Sequence, residues 1–377
     1  MLSKEELIRY NRQIILPDFG IDGQQKLKAA SVLVIGAGGL GAPNLLYLAA
    51  AGVGHIGIMD FDEVSLSNLH RQVLLNEQSV GKNKAQVAKD KLTELNPNVK
   101  LQIYEEPITA QNAMEIIGAY DLVVDGSDNL PTRYLVNDAC YFLEKPLVYG
   151  AIFRFEGQVS VFNYADENGL RGPNYRDLFP SPPPPDMVPS CSEGGVLGVL
   201  PGIIGAMQAN EVIKIITGIG TTLSGKLFLY DAQDVSTRTL NIQANPDNPL
   251  SGVNPTLTEL IDYEAFCSNL VEAIQNEITV QELQELKKAD SIHLLDVRED
   301  YEYDIANIGG QLIPLNQVVD RVLEIPNDRP VVVMCKSGGR SQNAIDLLKK
   351  EGFDNLINLK GGILAWQKEI DHNMDTY

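Results

Sequence analysis

The chain has 377 residues, with 30 lysines and arginines against 50 aspartates and glutamates, a formal net charge of −20. That length supports two or three domains, each with its own core, and the acidic balance excludes nucleic acid as an expected partner because phosphate backbones need a concentrated basic face. No apolar run of about 18 residues occurs and the opening Met1-Leu2-Ser3-Lys4-Glu5-Glu6 is polar, so a cytoplasmic protein with no membrane association is expected. Four cysteines (Cys140, Cys191, Cys267, Cys335) at wide, irregular spacing make no disulfide framework. Four histidines (His55, His70, His293, His372), none at helical or finger-like spacing, leave little material for a His-based metal site or a base-driven hydrolase.

In chain order, the apolar pattern predicts a strand at Ser31–Ile35, a glycine turn, a helix over 40–51 and a strand over 55–60, which is a βαβ unit. Helices over 82–95 and 111–117 alternate with strands over 100–104 and 121–125, so a parallel sheet with crossover helices is expected. After Leu147 the texture changes to strands over 155–163 and 226–231 around a helix over 203–217 that stops at Gly218, as an antiparallel lid on that sheet would. Pro180-Ser181-Pro182-Pro183-Pro184-Pro185 lacks amide donors and reads as an exposed crossing segment, and 243–252 has the composition of a linker. Near the carboxyl end a strand over 292–295 and the apolar run 331–334 precede a helix over 342–350.

Gly36-Ala37-Gly38-Gly39-Leu40-Gly41 satisfies G-x-G-x-x-G between a strand and a helix, where backbone amides can approach phosphate at a positive helix end. With Asp60 at the end of the next strand, this alone fits a nicotinamide-dependent oxidoreductase equally well. The polar residues that follow separate the readings: Asp60-Phe61-Asp62, Ser67-Asn68-Leu69-His70-Arg71-Gln72, Lys84, and Asp125-Gly126-Ser127-Asp128-Asn129. Hydride transfer has no use for so many phosphate-directed groups. Arg71 and Lys84 can neutralise a triphosphate, and Asp128, just past a strand's carboxyl end, can hold Mg²⁺ through one carboxylate while phosphates and water complete the octahedron. The pattern points to nucleotidyl transfer from ATP.

These motifs, with Arg9-Tyr10-Asn11-Arg12-Gln13-Ile14 near the start, resemble the MoeB/ThiF family, the bacterial relatives of ubiquitin-activating enzymes, over residues 1–243. The resemblance implies an α/β fold with a Rossmann-like adenylation domain and a mixed sheet. It implies that Gly39, Asp60, Ser67, Asn68, Arg71, Lys84, Asp128 and Asn129 bind ATP and magnesium, and that Arg12 reaches into the other protomer's nucleotide site, making a homodimer. The implied substrate is the carboxy-terminal glycine of a small ubiquitin-like sulfur carrier ending in Gly-Gly, with Cys191 placed near the adenylated carrier. Which carrier, for molybdopterin, thiamine, thiolated tRNA or another product, stays open. Many relatives hold a structural zinc with two C-x-x-C pairs. The positions that correspond here are Asn174, Asp177, Asn245 and Asn248, and because oxygen ligands suit that soft tetrahedral site poorly, no zinc is expected.

Cys335-Lys336-Ser337-Gly338-Gly339-Arg340-Ser341 places a cysteine where a buried strand ends and a Gly-rich turn opens into a helix, an address that favours a thiolate or persulfide anion. The C-x4-R spacing is one residue shorter than a phosphatase loop and suits a single sulfur atom. With Asp296-Val297-Arg298-Glu299 and Gly361-Gly362-Ile363-Leu364-Ala365-Trp366, the region 276–377 resembles the rhodanese sulfurtransferases, and 244–275 is left as linker and connecting segment. The combined expectation is an enzyme that adenylylates a carrier and delivers sulfur to it from a persulfide or thiosulfate donor. A non-catalytic carrier-binding scaffold is the alternative, disfavoured by the complete ATP constellation.

Overall fold

The computed structural model describes residues 1–166, 168–182, 195–268, 277–288 and 292–375. It divides into two units, Met1–Pro182 with Gly194–Cys267, and the described residues of Ser268–Tyr377. In the first unit α1 (Lys4–Arg9), α2 (Asn11–Ile14) and α3 (Gly20–Ala29) precede β1 (Ser31–Ile35), α4 (Gly41–Ala51), β2 (His55–Met59), α5 (Lys84–Leu95) and β3 (Lys100–Tyr104). There follow α6 (Ala113–Gly118), β4 (Leu122–Asp125), α7 (Leu130–Phe142), β5 (Leu147–Phe153), β6 (Glu156–Phe162), α8 (Tyr175–Leu178), α9 (Leu200–Thr217), β7 (Lys226–Asp231), β8 (Ser236–Asn241) and α10 (Tyr263–Ser268).

The central strands are apolar throughout because both faces are covered. Side-chain alternation sends Val32 and Val34 of β1 into a core with Leu45 and Leu48 of α4 and Val212 of α9, and Leu33 and Ile35 into a second core with Ile117 and Leu135. Leu45 and Leu48 are fully buried, which contributes about 1.5–3 kcal/mol each. Helix α4 ends at Gly52, whose φ of +87° suits a left-handed cap, and a Cβ there would meet the Tyr10 ring at 2.5 Å.

The strand order is β3-β2-β1-β4-β5-β6-β7-β8. Strands β1 to β5 pair in parallel, and β5 through β8 antiparallel. The second half is therefore an edgewise continuation of one sheet and not the expected lid over it, because β5 pairs with β4 on one side and β6 on the other. Residues after 244, read from sequence as connecting chain, pack on this unit as far as Cys267: Tyr263 is buried and its hydroxyl donates to Asp138 Oδ2 at 2.7 Å, beside the buried Arg176–Asp138 ion pair.

The second unit contains β9 (Glu277–Ile278), α11 (Val280–Lys288), β10 (His293–Asp296), α12 (Asp300–Ile305), β11 (Gln311–Leu312), β12 (Val331–Met334), α13 (Gly339–Lys350), β13 (Leu356–Leu359) and α14 (Gly362–Glu369). Its sheet, β11-β10-β12-β13-β9, is parallel throughout. Val331 and Val333 pack on Ala344 and Leu348 of α13, whereas Val332 and Met334 pack on Leu283, Ile363 and Trp366. Among the described residues no helix is long and apolar enough to cross a membrane.

Candidate functional site

In the first unit the carboxyl ends of β2, β1 and β4 lie side by side, and strand addition reverses direction between β1 and β4, which opens a crevice beyond the strand ends. The glycine turn leaves β1 at this point. Gly36 N–H donates to Met59 O at 2.7 Å and Gly126 N–H to Ile35 O at 2.8 Å, so the turn is tied to both neighbouring loops. Gly36 has φ +88°, and a Cβ on Gly41 would come 1.8 Å from Gly36 O, so this hairpin-tight entry to α4 excludes side chains at both positions.

Asp60 shapes the same turn. Its Oδ2 accepts from Ala37 N–H at 2.7 Å and its Oδ1 from Asp62 N–H at 2.9 Å. Burial raises its carboxyl above the ordinary range, while the Lys84 charge and those two amides pull the other way. Lys84 opens α5, capped by Asn83, and its buried Nζ lies 2.8 Å from Asp62 Oδ2, whose side chain is 55% exposed. Ser67 and Asn68 sit on a single 3-10 turn at Leu66–Asn68. Arg71 Nη1 donates to Ser67 O at 3.1 Å and lies 2.7 Å from His70 Nε2. A Cβ on Gly39 would lie 3.7 Å from Arg71 Cγ and 3.2 Å from Pro201 Cβ, so Arg71 and the start of α9 wall the turn.

Gln72, given no role from sequence, reaches the turn as well: a Cβ on Gly38 would lie 3.4 Å from its Nε2, and its buried Oε1 has no hydrogen-bond partner among the described residues. Its only signal in the sequence was adjacency to Arg71. Beyond β4, Asp125 is buried and accepts from Ser127 N–H at 2.8 Å, and burial pushes its carboxyl up. Asp128 is exposed at the mouth, and Asn129 caps α7 by accepting from Thr132 N–H at 2.9 Å. Among the described residues no group of three or more His, Cys, Asp or Glu gathers to hold a metal ion. A single exposed carboxylate such as Asp128 suits Mg²⁺, which keeps waters and shares substrate phosphates.

Arg12 does not join this cluster. It lies exposed on α2 and lines, with Tyr47, Ala50 and Ala51, a cleft of about 260 Å³ at the carboxyl end of α4. At 1.5 Å per residue that end is about 15 Å along the helix from the glycine turn. Cys191 lies outside the described residues.

The four residues at the expected zinc-ligand positions do come together. Asn248 Nδ2 donates to Asp177 Oδ1 at 2.8 Å and to Asn174 Oδ1 at 3.2 Å; Asn245 N–H donates to Asp177 Oδ1 at 2.9 Å. Asn174 N–H reaches Asp177 Oδ2 at 2.7 Å, Asn174 Nδ2 donates to Ser251 Oγ at 2.9 Å, and Asn248 Oδ1 accepts from Leu250 N–H at 2.9 Å. Asn174 and Asn248 are buried, so this clasp ties the α8 turn to the 245–251 loop through hydrogen bonds.

In the second unit Cys335 follows the wholly buried β12 and is itself buried. Gly338 N–H donates to its Sγ at 3.1 Å, from a residue with φ +111°. Ile363 and Leu364 N–H donate to the carbonyls of Cys335 and Lys336 at 3.0 and 3.1 Å, and a Cβ on Gly362 would come 2.4 Å from Cys335 O. The glycine pair thus lets α14 dock directly on the loop. Lys336 is half-buried, while Ser337 is exposed at the rim and Gly339 opens α13. Arg298 and Asp296 form a fully buried ion pair at 2.6 Å, and Arg298 Nη2 also donates to Ala306 O at 2.8 Å; breaking such a pair costs about 3–5 kcal/mol. Arg340 is clamped by Glu302 of α12 through two bonds of 2.6 and 2.8 Å, because a fork of N–H groups matches a carboxylate.

Family models match this architecture: the ThiF family over residues 10–251 and the rhodanese-like domain over residues 279–369. The chain is 49% identical over 385 residues, covering all of it and 96% of that protein, to a probable adenylyltransferase/sulfurtransferase MoeZ of Mycobacterium tuberculosis. It is 56% identical over 265 residues, 70% of this chain and 98% of that protein, to the sulfur carrier protein adenylyltransferase of Thermus thermophilus. Among solved structures, PaaA aligns with a TM-score of 0.53 and 28% identity over 64% of this chain and 75% of that one. The chain belongs to the ThiF family, with a rhodanese-like domain behind it, and is an adenylyltransferase with sulfurtransferase activity.

Proposed function

We propose that this enzyme uses ATP to adenylylate the carboxy-terminal glycine of a small ubiquitin-like sulfur carrier ending in Gly-Gly, and then converts it to a thiocarboxylate. The observation that carries the reading is the convergence of the glycine turn, Asp60, Lys84 and Arg71 on one crevice. A carboxylate is already ionised at neutral pH and needs no general base. It attacks the α-phosphorus, the bond to the β-phosphate oxygen breaks, pyrophosphate leaves, and an acyl-adenylate forms. Arg71 and Lys84 neutralise charge on the phosphates and align them, with Gly39, Ser67, Asn68 and Asn129 around the nucleotide. Asp128 would hold Mg²⁺, which supplies further charge neutralisation when bound. Arg12, on α2 beside the end of α4 remote from the glycine turn, serves the crevice of a second copy in a homodimer.

The sulfur step uses Cys335 as a persulfide: its thiolate attacks the outer sulfur of a sulfane donor such as thiosulfate, the S–S bond of the donor breaks, and sulfite leaves. The persulfide's outer sulfur attacks the acyl carbon and displaces AMP, giving an acyl disulfide. The Cys191 thiolate attacks the Cys335 sulfur, releases the thiocarboxylate and leaves a Cys191–Cys335 disulfide, which cellular thiol reductants open. The donor set at Asn174, Asp177, Asn245 and Asn248 does not fit zinc, since the oxygens that would face a cation already accept N–H groups, and no zinc is needed to join the loops. The test is ATP–pyrophosphate exchange with purified carrier and Mg²⁺. Exchange should require both; carrier-independent exchange would remove the carrier as the adenylylated substrate, and no exchange at all would favour a scaffold.

A further inference from the structure

Below the Cys335 sulfur runs a buried polar chain that the steps above do not use. Ser341 Oγ lies 3.4 Å from Cys335 Sγ, 2.7 Å from Asn358 Oδ1 and 2.9 Å from Gly338 O. Asn358 Nδ2 donates to Glu277 Oε1 at 3.0 Å and to Gly338 O at 3.3 Å. Ser341 is fully buried and Asn358 is 3% exposed, so water is not an alternative partner for either.

A serine hydroxyl carries one proton, and here three acceptors surround it. The amide of Asn358 is fixed in orientation by Glu277 and the Gly338 carbonyl, which take its N–H groups and leave Oδ1 facing Ser341. Beside a neutral thiol, the 2.7 Å contact wins and the hydroxyl points at Asn358. An anionic sulfur is the stronger acceptor because bonds to charged groups are roughly twice as strong as neutral ones. Rotation about the Cβ–Oγ bond then turns the same proton to Sγ, with no covalent bond made or broken.

We propose that Ser341 stabilises the anionic sulfur of Cys335 by donating its hydroxyl proton, and that Asn358, held by Glu277, competes for that proton and so sets how reactive the sulfur is. This rests on the reading of Cys335 as the sulfur-carrying nucleophile and adds two residues to it. Removing the donor and removing the competitor should have opposite effects, which general damage to the loop would not produce.

The experiment is the rate of Cys335 alkylation by iodoacetamide across pH, in the full-length protein, followed at the Cys335 peptide by mass spectrometry. Ser341→Ala should react about tenfold more slowly at neutral pH, the size expected for losing one hydrogen bond to a charged group, and the deficit should close at alkaline pH, where the thiol ionises unaided. Ser341→Thr should restore the rate, and Asn358→Leu should react faster than the unaltered protein. A Ser341→Ala rate equal to the unaltered protein's, a deficit constant across pH, or a slower Asn358→Leu protein overturns the proposal. If Ser341→Ala fails to fold, the Asn358→Leu and Ser341→Thr rates decide it alone. Sulfur transfer from thiosulfate to cyanide is measured beside these: its absence together with the predicted order of alkylation rates supports the proton assignment while removing the sulfurtransfer reading.

Discussion

Replacing Asn248 by alanine should loosen the clasp without touching either crevice. Asn248 is buried, its Nδ2 serves Asp177 at 2.8 Å and Asn174 at 3.2 Å, and its Oδ1 accepts from Leu250 N–H at 2.9 Å and Ser251 N–H at 3.3 Å. Asp177 Oδ1 keeps the Asn245 amide and Asn174 Oδ1 keeps that of Arg176, so the acceptors are not orphaned. The Leu250 and Ser251 amides lose their side-chain partner. At about 1 kcal/mol for each good bond, less for the two long ones, and a small cavity in addition, the loss is about 2–4 kcal/mol. A two-unit chain does not unfold in one step, so the local measurement is amide hydrogen exchange of 174–179 and 245–252, which should accelerate about 30- to 700-fold. Chelator should leave the unaltered protein's exchange unchanged, and elemental analysis should find well below one zinc per chain. Unchanged exchange in Asn248→Ala, or stoichiometric zinc whose removal loosens these same segments, would refute the hydrogen-bonded clasp.

Asp128→Ala should lower pyrophosphate exchange about 100-fold or more while circular dichroism and melting stay unchanged; full exchange in a folded variant would end the magnesium assignment. Arg12→Ala and Lys84→Ala proteins, each inactive alone, should recover about a quarter of the unaltered activity after subunit exchange, because half the dimers are mixed and each mixed dimer holds one intact site. No recovery once exchange is demonstrated counts against a shared crevice. Cys335→Ala should keep pyrophosphate exchange but lose thiosulfate-dependent thiocarboxylate formation, read from the mass of the carrier; normal yield without another sulfurtransferase would sink the relay. Cys191→Ala should stall with carrier attached through a reducible bond.

Short-range chemistry was the readable part of this sequence. The buried strands announce themselves because both faces are apolar, and Gly36 to Gly41 announces its turn because no other residue fits a Cβ-free approach of 1.8 Å. The antiparallel half misled because strand composition shows that a face is covered without showing whether the next strand lies beside the sheet or over it. Arg340 was placed in its loop, but its partner Glu302 is 38 positions away, and only tertiary structure could name it. The clasp was legible as four positions lacking thiols, not as a mutual hydrogen-bond set, since Asn174 and Asn248 are 74 residues apart. Asn129 shows a local competition: a residue assigned to a nucleotide from sequence uses its carbonyl as a helix cap, a role that Asn-Leu-Pro at 129–131 also fits.

The clasp contains amides and a carboxylate, and no sulfur. Such a cross-link cannot be alkylated, persulfidated, oxidised to a disulfide or stripped by competition for metal. In a protein that handles labile sulfur this changes which atoms can intercept the cargo. Of the other thiols in the described residues, Cys140 is completely buried with its thiol pushed well up by burial, and Cys267 is pushed up to about 11, by burial first and then by Glu264. Both are therefore protonated at neutral pH and poor competitors for a sulfane sulfur. A joint built without sulfur gives such cargo no place to lodge, so sulfur carried on Cys335, as proposed, would meet few competing thiolates among the described residues.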